Sequence, residues 1–358
     1  MSSSSESAVN NVRQSLGQTA QTILAAEARI TALETAALLN RNYDVAKNLA
    51  SLMANTAHGS GQTPYSREQV QALAGHLLQA NPGISSIYTQ YEVNGYDNRD
   101  SEFNTSNPHS SQDGTLEVYW IREASGLKFI QTEDAGIKYL DKRNELGLRE
   151  AEWYLCSRDT LKPCLMEPYI FDGTLLTSLV YPVVTQDQFR GVSGVDLNLP
   201  VLQTLLQAQA DLLYDGKAEL YLISKYGLVV ASNKFPDKLG QSIKTLDADL
   251  AAHLQQQQAG VSLYKDAMLV TEPIKLDSTE SGWKVVVAVP EATALAMATQ
   301  LANQLNEDSA QTTQSMIGLG IVLLLAFVVL MALGLKSATA PILHMSVLMK
   351  ELAGSEGD

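Results

Sequence analysis

Near the start of the chain, apolar residues recur at every seventh position. Val9, Leu16, Ile23, Ile30 and Ala37 form one series, and Val12, Ala26 and Leu33 form a second. That period describes a long helix with a narrow apolar seam, which either packs against another helix, as in a coiled coil or bundle, or lies as an amphipathic helix on its own domain. Helical text continues to about residue 57, where His58-Gly-Ser-Gly-Gln-Thr-Pro64 breaks it. A second helix is expected over 66–79, with Ser66 as N-cap and Glu68 in its first turn, ended by Asn81-Pro-Gly. The text then turns β-branched, aromatic or alternating at 84–91, 115–122, 127–131, 175–184 and 191–199, with Ser125-Gly126 as a tight turn. Residues 94–114 are rich in Asn, Ser and Asp and are expected to form a surface insertion loop.

A helical stretch at 200–214 opens a smaller block. Strands are expected at 218–224, 227–232, 261–271 and 283–289, with a helix at 246–257 and another starting at Glu291. Strands and helices in runs, rather than strict alternation, indicate an α+β fold. Residues 316–335 are uncharged, and at ~1.5 Å per residue such a run spans the ~30 Å of a bilayer core, so a transmembrane helix is expected there. The helix from Glu291 runs into it without a proline, and Lys336 just beyond is a weak mark of a cytoplasmic side. The first residues carry no signal-peptide pattern.

Composition narrows the function. The 358 residues carry 25 Lys+Arg against 39 Asp+Glu, a net charge of -14 that opposes a sequence-independent grip on nucleic acid. Enzyme motifs fail: Gly191-Val-Ser193-Gly-Val195 stops short of a nucleophile elbow, and HExxH and phosphate-binding glycine loops are missing. Neither a catalytic residue, nor a metal, nor a cofactor is expected. Cys156 and Cys164 have a spacing that fits no common zinc pattern; in an oxidising compartment they would close a disulfide, and otherwise they are two reduced thiols.

Between positions 88 and 200 the acidic residues number 18 and the basic ones 10, a surplus of 8 out of the total of -14. Asp196 stands inside strand-like text, where Asp is disfavoured, on one face with Val192 and Gly194, whose small size leaves room for a ligand. Glu152-Trp153-Tyr154 and Glu167-Pro-Tyr169-Ile-Phe-Asp172 flank the cysteines and bring carboxylates and rings into one neighbourhood. Such a set suits an organic cation, held by charge-assisted hydrogen bonds and cation–π attraction; the alternative is an aromatic core with ordinary surface carboxylates. In a straight strand Trp153 and Tyr154 would face opposite sides, so the segment bends or only one of them lines a pocket.

These residues resemble the double-Cache sensor region of bacterial methyl-accepting chemotaxis receptors. The resemblance runs over essentially the whole chain and is carried by Glu152-Trp-Tyr154, Glu167-Pro-Tyr169, Leu176-Thr-Ser178, Tyr181-Pro182 and Phe189-Arg-Gly-Val-Ser-Gly-Val-Asp196. It implies a stalk helix at 1–60, a membrane-distal, ligand-binding PAS-like module at 61–200, a proximal module at 201–300, a helix at 301–336 containing the membrane span, and the start of a HAMP domain at 337–358, following Pro341-Ile-Leu. In the amino-acid sensors of that family an Arg two residues before the Trp-Tyr pair clamps the ligand carboxylate; here the position is Ala151. The ammonium-binding Asp corresponds to Asp196, while Asp172 is a shifted match. The cysteine loop, Gly95-Tyr-Asp-Asn-Arg-Asp100 and Glu152 resemble most the subgroup that senses polyamines and histamine. The expected ligand-binding set is therefore Glu152, Trp153, Tyr154, Glu167, Tyr169, Asp172 and Asp196, with Arg149 as a substitute clamp should the ligand be an amino acid. The resemblance further implies an inner-membrane receptor with a periplasmic sensor, a homodimer associated through the helix at 9–37, and kinase coupling only through chain beyond Asp358; a histidine kinase or diguanylate cyclase output is the alternative.

Overall fold

The computed structural model describes residues 2–257 and 259–300, with side chains from Gln14 onward. The chain divides into two units, Met1–Ala296 and Met297–Asp358, and both β-sheets lie in the first. The expected span at 316–335, the helix at 301–336 and the HAMP start at 337–358 lie outside the described residues, among which no helix is long and apolar enough to cross a membrane.

Helix α1 (Ser2–Thr56) packs on strands of both sheets. Its buried stripe is Ala20, Leu24, Ala28, Ala32, Ala36, Leu39, Tyr43, Ala46, Ala50 and Met53, steps of three and four that keep one face of a 3.6-residue helix inward. Small alanines let the sheets approach closely. Thr31 and Thr35 sit in the same face and bond back to the carbonyls four residues earlier, which satisfies their hydroxyls inside the packing. The helix thus lies on its own domain, but not through the heptad seam: Ala26, Ile30, Leu33 and Ala37 face outward, Ile30 at 47% and Leu33 at 60% exposure.

Helix α2 (Arg67–Ala80) starts at a capping box, in which Ser66 Oγ accepts from the Gln69 amide and Gln69 Oε1 accepts from the Ser66 amide. A seven-stranded antiparallel sheet comes next, ordered β3 (Gly126–Phe129), β2 (Glu117–Glu123), β1 (Ser86–Tyr91), β7 (Gln188–Asn198), β6 (Thr174–Thr185) and β4 (Cys164–Leu165), with β5 (Tyr169–Phe171) also on β6. After α4 (Leu199–Leu212), a five-stranded antiparallel sheet has the order β10 (Gly260–Tyr264), β11 (Ala267–Lys275), β12 (Glu280–Pro290), β8 (Glu219–Ile223) and β9 (Val229–Ser232), with α5 (Ile243–Leu246) and α6 (Ala248–Gln256) packed on it. The single strand expected at 261–271 is a hairpin, turned at Lys265-Asp266 with Lys265 at a φ of 55°. Neither residue is glycine, and the polar Lys265-Asp266 pair is the one mark of the turn within this text.

Residues 94–114 are not a loose insertion. Arg67, 1% exposed, reaches in from α2 and gives Nε to Asp97 Oδ2 at 2.8 Å and Nη2 to Asp97 Oδ1 at 2.7 Å and Asp100 Oδ1 at 2.6 Å. Nη1 bonds Ser110 Oγ at 3.1 Å, and the guanidinium carbon lies 4.1 Å from the Phe103 ring centre. One buried cation gathers a polar segment whose composition alone reads as surface.

Helix α3 (Glu152–Thr160) replaces the expected bend, so Trp153 and Tyr154 diverge around a helix rather than across a strand. A disulfide joins Cys156 in α3 to Cys164 in β4. Closing so short a loop is expected to contribute about 2.5 kcal/mol, read as a drop in urea midpoint on reduction. An unmoved midpoint would remove the bridge from the stability of this fold.

Candidate functional site

Strand β7 runs between β1 and β6, and Asp196 stands directly across from Ser86 on one side and Ser178 on the other. Opposed residues of an antiparallel ladder share a face, so both hydroxyls reach the carboxylate. Ser178 Oγ donates to Oδ1 at 2.5 Å and Ser86 Oγ donates to Oδ2. Tyr169 OH extends the chain to Ser178 Oγ at 2.7 Å. Burial pushes the Asp196 carboxyl up to about 6, against the downward pull of the two serines. Two neutral donors are a poor exchange for water around an ionised carboxylate.

Tyr88 opposes Gly194 on β7 and Tyr119 on β2. A Cβ at position 194 would lie 2.2 Å from Tyr88 Cζ, so the glycine admits the Tyr88 ring flat over the strand. The space expected beside Asp196 is thus partly filled by the Tyr88 ring, which forms one wall of a cavity that Asp196 also lines. Tyr88, Gln90, Tyr119, Trp153, Tyr169 and Asp196, with Thr132, Ile137 and Phe171, surround a narrow cavity of about 40 Å³ that opens outward. Its rings meet edge to face, Tyr88 with Trp153 at 5.5 Å, Tyr88 with Tyr119 at 6.3 Å and Tyr119 with Phe171 at 5.9 Å. None of the lining residues is basic, and the buried Gln90 Oε1 has no hydrogen-bond partner.

Trp153, Tyr169 and Asp196 of the expected set come together in this cavity, while Glu152 and Glu167 share a second pocket with Trp153 and Tyr169 that is also lined by Lys142, Arg143 and Arg149. Asp172, in the left-handed turn between β5 and β6, borders the groove that continues outward from the cavity alongside Glu133 and Asp134. Glu152 Oε2 accepts from Arg149 Nε at 2.7 Å, while Arg149 Nη1 donates to Asp159 Oδ2 at 2.5 Å. Those two carboxylates hold the Arg149 guanidinium well above its ordinary range and leave it occupied. Tyr154 is core, its hydroxyl donating to Glu92 Oε1 at 2.9 Å opposite Tyr139, which donates to Oε2 at 2.9 Å. Glu167 reaches the second sheet's block, accepting from Ser224 Oγ and from the Tyr226 amide at 3.4 Å; burial raises its pKa, against the pull of these bonds. Ser86, Tyr88, Gln90 and Tyr119 have no place in the expected set, and Ser178 stands in a motif of the resemblance without a role assigned to it. The polar and aromatic residues at alternate positions 86, 88 and 90 were the available signal for three of them.

No family model matches the chain. Over 306 residues it is 28% identical to the methyl-accepting chemotaxis protein TlpQ of Pseudomonas aeruginosa, an alignment covering 82% of this chain and 42% of that protein. The chain therefore spans about two fifths of the length of this curated relative. Its fold is similar to that of the extracellular domain of the putative histidine kinase mmHK1S-Z3, with a TM-score of 0.64, 18% identity, and coverage of 79% of this chain and 98% of that one. It is also similar to a structure described as methyl-accepting chemotaxis protein X, at a TM-score of 0.59 and 22% identity, over 78% of this chain and 99% of that one. The fold is thus shared with the extracellular domain of a putative histidine kinase and with a structure described as a methyl-accepting chemotaxis protein.

Proposed function

We propose that the chain is the extracytoplasmic sensor region of a transmembrane chemoreceptor and that its membrane-distal module binds a small organic amine, such as a polyamine or histamine, in the Asp196 cavity. The observation that carries this reading is a buried carboxylate walled by aromatic rings and a glutamine acceptor, with no basic residue lining the space. An ammonium would supply the charge that the two serines lack and donate to Gln90 Oε1, while the rings add cation–π attraction. An amino acid would bring its own carboxylate into a site where Ala151 is buried at the helix start and Arg149 is already doubly paired, so that group would be desolvated without a partner.

Transmission follows from residues two apart on one segment. Tyr169 touches Asp196 through Ser178, and Glu167 grips Ser224 and Tyr226 of the proximal module. Closure of the cavity around a cation shifts this segment, and the receptor responds insofar as the ligand prefers the closed state, with helix displacements of ~1–2 Å across the membrane. The outward stripe of Ala26, Ile30 and Leu33 on α1 is the surface on which two copies would pair. Coupling to a cytoplasmic kinase would come from chain beyond Asp358.

Calorimetric titration with putrescine, histamine, lysine and alanine side by side tests the ligand class. Tight binding of lysine or alanine without binding of either amine would overturn it. Acidity gives a second check. Protonated Asp196 cannot pair with an ammonium, so affinity is expected to hold above the Asp196 pKa of about 6 and to fall, by about tenfold per pH unit, below it. A flat pH profile between 5 and 7.5 would take Asp196 out of the contact.

A further inference from the structure

Beside the cavity lies a second buried constellation that ligand binding does not use. Lys138 and Glu117 form an ion pair in which both side chains are 0% exposed. The ammonium donates to Glu117 Oε1 and to the Tyr91 carbonyl, and sits 5.5 Å from the Tyr154 ring centre and 5.6 Å from that of Tyr139. Glu117 Oε1 also accepts from the Thr115 hydroxyl at 2.7 Å, whereas Oε2 is left without a partner. Burying two charges loses about as much in desolvation as it gains in attraction, and an apolar pair of similar volume often serves the fold as well. The pair therefore calls for a use other than bulk stability.

Its place in the chain supplies one. After β3, residues 130–134 have no regular structure, and the short 3-10 turn Ala135–Tyr139 comes next, started by Asp134 Oδ1 accepting from the Gly136 amide at 2.7 Å. Thr132 and Ile137 of this segment line the Asp196 cavity, and Lys138 is the next residue. On the other side, Glu117 stands across the β1–β2 ladder from Gln90, which is itself a wall of the cavity. The ion pair thus ties the covering segment to the strand pair that forms the cavity's back.

We propose that Lys138 is a positioning residue of the ligand site, holding residues 130–139 down on Glu117 as a fixed cover so that Thr132 and Ile137 stay against the bound ligand. The proposal rests on the sensor reading only for the identity of the ligand. A cover fixed in advance lowers the ordering cost of binding, which is where affinity is most easily lost. The discriminating variant is the double exchange Glu117→Met with Lys138→Met, which keeps the net charge and strands no single buried ion. Glu117→Gln with Lys138→Met serves as a second version with a polar residue left for Thr115.

In the full chain, hydrogen–deuterium exchange across 130–139 and titration with putrescine and histamine give two separate readouts. Either double variant is expected to keep a urea midpoint close to that of the parent, to exchange faster in 130–139 than elsewhere, and to bind about tenfold more weakly. Parental protection of 130–139 in a folded double variant overturns the proposal, and so does a loosened segment with unchanged affinity. Should the parent protein bind neither amine, the ligand reading falls, while the exchange rates still decide whether Lys138 holds the cover.

Discussion

Asp196→Ala is expected to weaken amine binding by about 2 to 5 kcal/mol, because it removes the one charged partner of a desolvated ammonium and leaves that cation among rings and hydroxyls. The companion change, Asp196→Asn, separates charge from shape. It should abolish most binding as well, yet raise the stability of the empty protein at neutral pH. The sign comes from the raised carboxyl: a group at about 6 in the fold and at roughly 3.9 unfolded makes the folded state the better proton binder between those values. Stability contributed by Asp196 is therefore lost as pH rises from about 4 to about 6 and stays lost above, a deficit of up to about 3 kcal/mol. Thermal melts of parent and Asp196→Asn at pH 4.5 and 7.5 should diverge at the higher pH. A parent more stable than the asparagine variant at pH 7.5 without ligand would mean the carboxylate is satisfied without a cation, against the binding role assigned to it.

Arg67→Met is expected to cost about 3 to 5 kcal/mol of folding stability, since it leaves Asp97 and Asp100 buried without a counter-charge. Arg67→Lys should recover little, because a point ammonium cannot span two carboxylates, Ser110 and the Gly114 carbonyl, to which Nη1 also donates, as a planar fork does. Burial raises the Asp97 carboxyl, but the Arg67 bonds and charge outweigh it and hold it below its ordinary range. That contribution is complete above the unfolded pKa of roughly 4 and is lost as pH falls through the folded value. Urea unfolding of the parent and both variants measures the effect. A loss under about 1 kcal/mol would show that 94–114 holds its place by other contacts.

How legible each feature was in the sequence depends on how far it reaches along the chain. Local signals served well: Ser66 with Gln69 starts α2, and period-two text marks the strands of both sheets. Asp196 stood out because a carboxylate inside strand-like text is costly wherever it folds. Its partners did not, because Ser86 and Ser178 become neighbours only through the register of three strands. Helix α1 shows the limit in another form. Its inward stripe is mostly alanine, which contrasts little with polar residues in hydropathy, so the larger Ile30 and Leu33 on the outward face dominated the pattern. Arg67 is the clearest miss: a buried arginine declares itself only when the two aspartates that pair with it, 30 and 33 residues away, are seen folded around it.

If the chain is the sensor region proposed above, the grip of Glu167 on Ser224 and Tyr226 has a bearing on how it could be recombined with others. By sequence the natural cut between the two modules falls where β7 passes into α4, at Asn198 and Leu199. A chimera joined there would carry an intact cavity, yet Glu167 would face a foreign surface with nothing matched to its carboxylate. Its dose-response curve would move while the ligand contacts stayed the same. On that reading, the seam along which the gene is most easily cut and the contact along which a signal would pass are different places, and a designer of hybrid receptors would transplant both sides of the second one.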